Sequence, residues 1–312
     1  MTRVVTFTPN PAIDVSTSVE RIAPTRKLRC GAARRDPGGG GVNVARVINR
    51  LGGDVTALYP IGGATGGLLH RLIDQEGIRS MTVAVKEETR EDFTVREETS
   101  GAQYRFVMPG PRFSEQEWQS CLDALAAIEG GAGIVVASGS LPVGVPDDFY
   151  ARTARHVTNS GAKFILDTSG PPLAAALEEG VYLIKPSRGE LCGLVGDALQ
   201  GEVQCVAAAR SLIKAGKTEI VALTLGHQGA LLVTRDGALR APPLAVKVVS
   251  AVGAGDSFLG ALVWSLARGD EIRDAFRYGA AAGSAALLHP GTQLCSVAAV
   301  HELYRRVIIE VV

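Results

Sequence analysis

The sequence is poor in most features that would mark a specialised class. Net charge is absent: Lys plus Arg and Asp plus Glu both number 32, so no overall field draws the chain to nucleic acid or an anionic membrane. No run of 18 apolar residues occurs, so no transmembrane helix is expected. The five cysteines (Cys30, Cys121, Cys192, Cys205, Cys295) are scattered and form no Cys-x-x-Cys pair, which disfavours a disulfide framework or a zinc site. They read as thiols in a reducing compartment. The opening MTRVVTFTPNP is too short and interrupted for a signal peptide, and a cytoplasmic location is expected. His70, His156, His227, His289 and His301 show no metal-ligand spacing. No Gly-x-Gly-x-x-Gly opens the first strand–helix unit, which disfavours a dinucleotide dehydrogenase. Gly216-Lys217-Thr218 looks like the end of a phosphate loop, but Ser211 stands where that motif needs glycine and a helix precedes it. Aromatic residues are scarce at 5% and glycines abundant at 37, as in an α/β enzyme with many tight turns.

What is present is a repeat of apolar strand, polar loop and helix. Val4–Phe7 reads as a buried strand closed by Pro9-Asn10-Pro11, with Asp14 just past its end. Residues 15–33 read as exposed strands, and residues 93–98 and 104–108 as a charged hairpin around Ser100-Gly101. Together they predict a small separate sheet. A helix over 114–128 opens on Ser114 with Glu117 three residues on, a capping box. From Ile134 onward, strands at 134–137, 163–167, 182–185 and 220–224 alternate with helices, followed by a hairpin over 230–241 and a mostly helical end. This pattern predicts a parallel sheet with helices on both faces. No linker divides residues 1–312, so one major domain with an inserted sheet is expected. Ligands of such sheets sit beyond the carboxyl ends of the strands, where Asp14, Ser138, Asp167, Lys185, Glu190 and Thr224 all fall.

Two glycine-rich stretches each feed a helix. Pro37-Gly38-Gly39-Gly40-Gly41-Val42-Asn43 precedes Val44, Val47, Ile48 and Leu51, which suggests a backbone brought close to a ligand. Val252-Gly253-Ala254-Gly255-Asp256-Ser257 leads directly into the apolar stripe Phe258, Leu259, Leu262, Val263, Leu266. The unpartnered amides at a helix N-terminus make an anion site. Asp256 then has two readings: it caps the helix, or it faces a hydroxyl that attacks a phosphate held by the amides.

These motifs, with Thr8–Asp14, Lys27–Cys30, Gln103–Gly110 and Ser138–Pro142, resemble the ribokinase-like sugar kinases across essentially the whole chain, and within them the minor-type 6-phosphofructokinase branch. The resemblance implies a ribokinase-like α/β fold with a β-sheet lid formed from about 15–35 and 88–110, and a homodimer joined through the lids. It implies transfer of the ATP γ-phosphoryl group to fructose 6-phosphate, with tagatose 6-phosphate or fructose 1-phosphate as alternative acceptors. A sugar-phosphate sensor without catalysis is the alternative of another class. Asp256 matches the catalytic base, and Gly253, Ala254 and Gly255 the anion hole. The helix dipole is expected to lower the pKa of Asp256. Asp14, Gly39, Gly40, Asn43 and Ser138 would hold the sugar, and Lys27, Arg29, Arg90 and Arg105 its phosphate, for which guanidinium forks are suited. Lys185, Ser187, Glu190, Thr224, Gly226, Gly229 and Ser284 would bind ATP, with Glu190 holding Mg2+ through water. Ser187 departs from the asparagine usual in that Asn-x-x-Glu motif. Carbonyls of Ser250, Val252, Ala286, His289 and Gly291 would hold a monovalent cation such as K+.

Overall fold

The computed structural model of the chain describes residues 1–128 and 132–312. Its first half contains β1 (Val4–Phe7), β2 (Ala12–Val19), β3 (Arg34–Gly38), α1 (Gly40–Arg50), β4 (Val55–Ile61), α2 (Gly63–Gln75), β5 (Arg79–Ala84), β6 (Arg90–Glu97), β7 (Gln103–Phe106) and α3 (Glu115–Ile128). The alternating region follows with β8 (Ile134–Ser138), α4 (Phe149–Asn159), β9 (Lys163–Asp167), α5 (Gly170–Leu177), β10 (Val181–Ile184), α6 (Arg188–Val195), α7 (Gly201–Lys214) and β11 (Thr218–Thr224). It closes with β12 (Ala230–Val233), β13 (Ala238–Ala241), α8 (Ala254–Arg268), α9 (Ile272–Ala286), α10 (Val297–Tyr304) and β14 (Glu310–Val311).

The strands build two sheets. The larger runs β14-β13-β12-β11-β10-β9-β8-β1-β4-β5. It is parallel from β5 to β11 and antiparallel from β11 to β14. Side chains alternate across it, as a strand buried on both faces requires. Val4, Val136, Ile165, Leu183 and Ile220 pack with α1, α2, α8, α9 and α10 on one face. Val5, Val135, Phe164, Leu166 and Val221 pack with α3 to α7 on the other. The mostly parallel sheet, helices on both faces and separate small sheet are those expected of a ribokinase-like chain. Among the described residues, no helix is long and apolar enough to cross a membrane.

The smaller sheet runs β3-β2-β6-β7. Four features differ from expectation. Asp14 is not past a strand end: it lies within β2, because the chain re-enters extended structure directly after Pro11. Residues 20–33 form a connection rather than strand, and the return strand is β3, which takes in Pro37 and Gly38. Proline is tolerated there because β3 is an edge strand. The short α6 falls where no helix was expected, and β14 adds an outermost strand beyond the 230–241 hairpin.

The sheet order places the site. β1 lies between β4 and β8, and the helices on its two sides cover opposite faces of the sheet. The loops leaving β1 and β8 therefore diverge and open a crevice at their carboxyl ends.

Candidate active site

The glycine run between β3 and α1 is explained mainly by protein neighbours. A Cβ on Gly38 would stand 2.4 Å from the Asp14 carboxylate, one on Gly40 2.1 Å from Ser138 Oγ, and one on Gly41 2.7 Å from the Phe7 carbonyl. Gly39 has φ 101°, which non-glycine residues rarely adopt. The run thus lets α1 start one residue after the lid strand, earlier than the Val44 start expected, and press against β1 and β8. Gly39, Gly40 and Asn43 face the cleft.

On the far side, α8 begins at Ala254 after Gly253, whose φ of 76° turns the chain into the helix. No side chain caps it. The capping alternative for Asp256 therefore falls away: its Oδ2 accepts a 2.8 Å hydrogen bond from Asn43 Nδ2 on α1. Contrary to the dipole expectation, burial pushes the Asp256 carboxyl above the ordinary aspartate value. The Asn43 amide, Lys185, Arg105 and Arg46 pull it back only in part. A carboxylate walled by protein loses more hydration than one helix end returns.

Lys185, just past β10, ion-pairs with Asp167 at the end of β9 at 3.1 Å. Burial alone would lower the Lys185 ammonium, but Asp167 and Asp256 outweigh it and hold it above its usual value. Burial also pushes Asp167 up to about 6, against the pull of Lys185. Lys185 Nζ lies 3.5 Å from where a Cβ on Gly255 would stand, so the lysine reaches the head of α8.

The lid sheet forms the roof. Its register sets Asp36, Asp14 and Asp92 side by side on one face. Like charges across neighbouring strands repel, and the structure answers with cations: Arg34 meets Asp36 at 2.5 Å and Arg90 meets Asp92 at 3.4 Å. Arg90 is further fixed by the carbonyls of Met108 and Asn10. Burial raises Asp14 to about 6, with Arg105 opposing and Asp92 and Asp256 reinforcing the rise.

Asp14, Arg90, Arg105, Ser138, Glu190, Val252, Gly253, Gly255 and Asp256 line the same cleft of about 410 Å³. Ser140 of the Ser138–Pro142 motif joins them, as do Asp92, Thr168 and Ser169, which were not singled out from sequence. Nothing in spacing distinguishes such polar residues from ordinary turn formers, although Asp92 alternates with Arg90 on β6. Lys27 and Arg29 are exposed on the connection between β2 and β3 and do not line the cleft. Ala254 begins α8 beside the cleft. Ser187 caps α6: its Oγ accepts from Glu190 N–H, and Glu190 Oε2 accepts from Ser187 N–H at 2.7 Å. Serine here serves the helix, and Glu190 still reaches the cleft. Thr224 bridges to Ser187, Gly226 opens a short turn ending at Gly229, and Ser284 lies on α9.

The donor set suits magnesium bound with a nucleotide. Asp167 and Glu190 bring hard oxygens to one cleft, and among the described residues no group of three or more ligands forms a protein-only cage. The two segments proposed for a monovalent cation lie side by side, because Val249 N–H donates to the Leu287 carbonyl at 2.7 Å. That contact brings Ser250 and Val252 near the end of α9 and the loop carrying Ala286, His289 and Gly291.

The chain is 47% identical over 294 residues to ATP-dependent 6-phosphofructokinase isozyme 2 of Mycobacterium tuberculosis, covering 94% of this chain and 86% of that protein. It superposes on phosphofructokinase-2 of Escherichia coli in complex with potassium with a TM-score of 0.94 at 42% identity, covering 98% of this chain and 99% of that one. The same Escherichia coli protein in complex with fructose-6-phosphate gives a TM-score of 0.93 at 41% identity, with the same coverage. The pattern of the pfkB family carbohydrate kinases matches residues 2–299, and with these relatives it establishes that the chain belongs to that family and is a sugar kinase, a phosphotransferase.

Proposed function

We propose that the chain phosphorylates fructose 6-phosphate from ATP, giving fructose 1,6-bisphosphate and ADP. One observation carries the reading: a carboxylate on the first turn of α8, a sugar-sized acidic and amide-lined floor, and two lid arginines all face one cleft. Asp256 accepts the proton of the attacking sugar hydroxyl as that oxygen bonds to the γ-phosphorus and the bond to the bridging β,γ-oxygen breaks. The pair of electrons leaves on ADP. Because the transition state is loose, the protein contributes mainly position and charge. The amides of Gly253, Ala254 and Gly255 receive the equatorial oxygens. Asp14 and Asn43 orient sugar hydroxyls, and Arg90 and Arg105 face the 6-phosphate.

Lys185, Ser187, Thr224, Gly226, Gly229 and Ser284 form the nucleotide side. Glu190, with Asp167 beside it, would hold Mg2+ through water. Bound Mg2+ neutralises charge on the nucleotide phosphates. Ser250, Val252, Ala286, His289 and Gly291 are the carbonyls proposed for K+, which the potassium complex of the Escherichia coli relative supports. The lid's outer face carries Phe93, Tyr104 and Phe106, exposed at 37%, 40% and 51%, and supports a homodimer closed through the lids. Coupled ADP-release assays with fructose 6-phosphate, fructose 1-phosphate and tagatose 6-phosphate test the substrate. The expected result is the highest kcat/KM for fructose 6-phosphate. Binding of one sugar phosphate with turnover of none would replace the kinase reading with a sensor.

A further inference from the structure

Arg46 is the largest fully buried side chain among the described residues, with 1% of its surface exposed. A guanidinium in a helix interior facing the core is costly unless its donors are paired. Here they are paired with unusual breadth. Nε donates to Glu76 Oε1 at 2.7 Å, and Nη1 reaches the Pro37 carbonyl at 2.9 Å, the Thr292 carbonyl at 3.1 Å and Asn43 Oδ1 at 3.2 Å. The anchors come from four places: the end of α2, the lid strand β3, the loop after α9, and α1 itself. Glu76 is held in turn by Arg50 Nη2 at 3.0 Å.

The contact to Asn43 has a chemical consequence. A guanidinium can only donate, so the Asn43 oxygen must face Arg46. The amide is planar, and its NH2 end is therefore directed away from Arg46, to Asp256 Oδ2 at 2.8 Å. Without a donor on the oxygen side, the amide could rotate by half a turn and set an oxygen against the carboxylate.

We infer that Arg46 is a positioning residue for phosphoryl transfer, acting through Asn43 to aim the Asp256 carboxylate. This rests on Asp256 being the base. The groups acting on Asp256 are Asn43 and Arg46 from α1, Lys185 after β10 and Arg105 from β7, all favouring the ionised form. Asp14 of β2 and Asp167 of β9 oppose them. Loss of the Asn43 N–H and of the Arg46 charge both favour protonated Asp256, so the acid limb of kcat moves to higher pH.

The test is kcat, both KM values and the kcat–pH profile for Arg46→Lys, Arg46→Met and Glu76→Gln, each in wild-type and Asn43→Ala backgrounds. Arg46→Lys is expected to lower kcat about tenfold, with KM for ATP within about twofold. Arg46→Met is expected to fall further and to shift the acid limb upward. In the Asn43→Ala background the charge-conserving Arg46→Lys costs less than about twofold more, because the relay is already cut. A purely structural role would cost the same factor in both backgrounds and leave the acid limb unmoved, and that result overturns the inference. If the Arg46 variants do not fold, Glu76→Gln, at a side chain that is partly exposed, decides by the same comparison: a severalfold fall confined to the Asn43 background supports the relay, and equal falls overturn it. Asp256→Asn run alongside separates the two levels. An active Asp256→Asn removes the base itself; an inactive one, with additive Arg46 effects, removes only the relay.

Discussion

Asp256 sits where two effects on a carboxylate oppose each other, and the stronger is burial. The residue must be ionised to accept a proton, so kcat should fall as pH drops through its raised value, on the acid side but above the ordinary aspartate range. Asp256→Asn keeps the shape and the approach of Asn43 but removes the proton acceptor. It should lower kcat by about 10²–10⁴-fold with little change in either KM, read by steady-state kinetics. Asp14 gives the complementary case in stability. Its folded value of about 6 lies above the ordinary aspartate value of 3.8, so burying it ionised costs stability at neutral pH. That cost shrinks as pH falls and is gone below the unfolded value. Asp14→Asn should therefore raise Tm at pH ~7, raise it less at pH ~5, and weaken sugar binding at both. Arg90 is held by two carbonyls and points its charge at the cleft. Arg90→Ala should raise KM for the sugar phosphate by about tenfold or more, because a charge-assisted contact is lost, while KM for ATP stays nearly constant. Equal rises for both substrates would place the 6-phosphate elsewhere.

At the level of elements, the base and its amide partner belong to different helices, and the distance between them is set by how α1 meets α8. Gly260 is the contact point: a Cβ there would lie 2.7 Å from Val47 Cβ and 3.2 Å from the Val44 carbonyl. Gly260→Ala must push the helices apart at the backbone, not merely rotate a side chain. It should destabilise by about 1–3 kcal/mol in urea unfolding and also lower kcat, since Asn43 and Asp256 ride on the separating helices. A loss of stability with kcat intact would mean that the Asn43 contact is dispensable. The same helices show what sequence could and could not reveal. The head of α8 was legible because Gly-Ala-Gly-Asp followed by an apolar period near 3.6 admits few other structures. The strands from β8 to β11 were legible for a similar reason, since runs such as Ile134–Ala137 are apolar at every position. β3 was not: Asp36-Pro37-Gly38 carries turn chemistry, and only its pairing with β2 makes it a strand. α6 was missed because Ser187 was weighed as a ligand, although Ser-x-x-Glu is equally a capping box. Arg46 gave no signal at all, because a buried arginine reads in sequence like any helix-surface cation.

Over the whole molecule, the two faces of the lid have opposite characters, which would connect the proposed assembly with substrate binding. The inner face carries Asp14, Arg90, Asp92 and Arg105 toward the cleft. On the outer face Phe93 pairs in register with Phe106 and Val95 with Tyr104, leaving aromatic surface in solvent on a four-stranded sheet. A sheet this small has little core of its own, so beyond the carbonyls that hold Arg90 the lid depends on support for its outer face. A second lid packed on that face would supply the support. Phe106→Glu places a charge at the centre of the exposed aromatic pair while leaving every cleft residue in place. The expected outcome is a dimer that dissociates on dilution in sedimentation velocity runs, with KM for the sugar phosphate rising as the monomer fraction grows. KM for ATP should not follow, because the nucleotide side lies on the main sheet. If the variant dissociates and sugar affinity is unchanged, a single lid is rigid enough to hold Arg90 and Arg105, and assembly serves some other end. If it remains a dimer, the lids are not the joining surface.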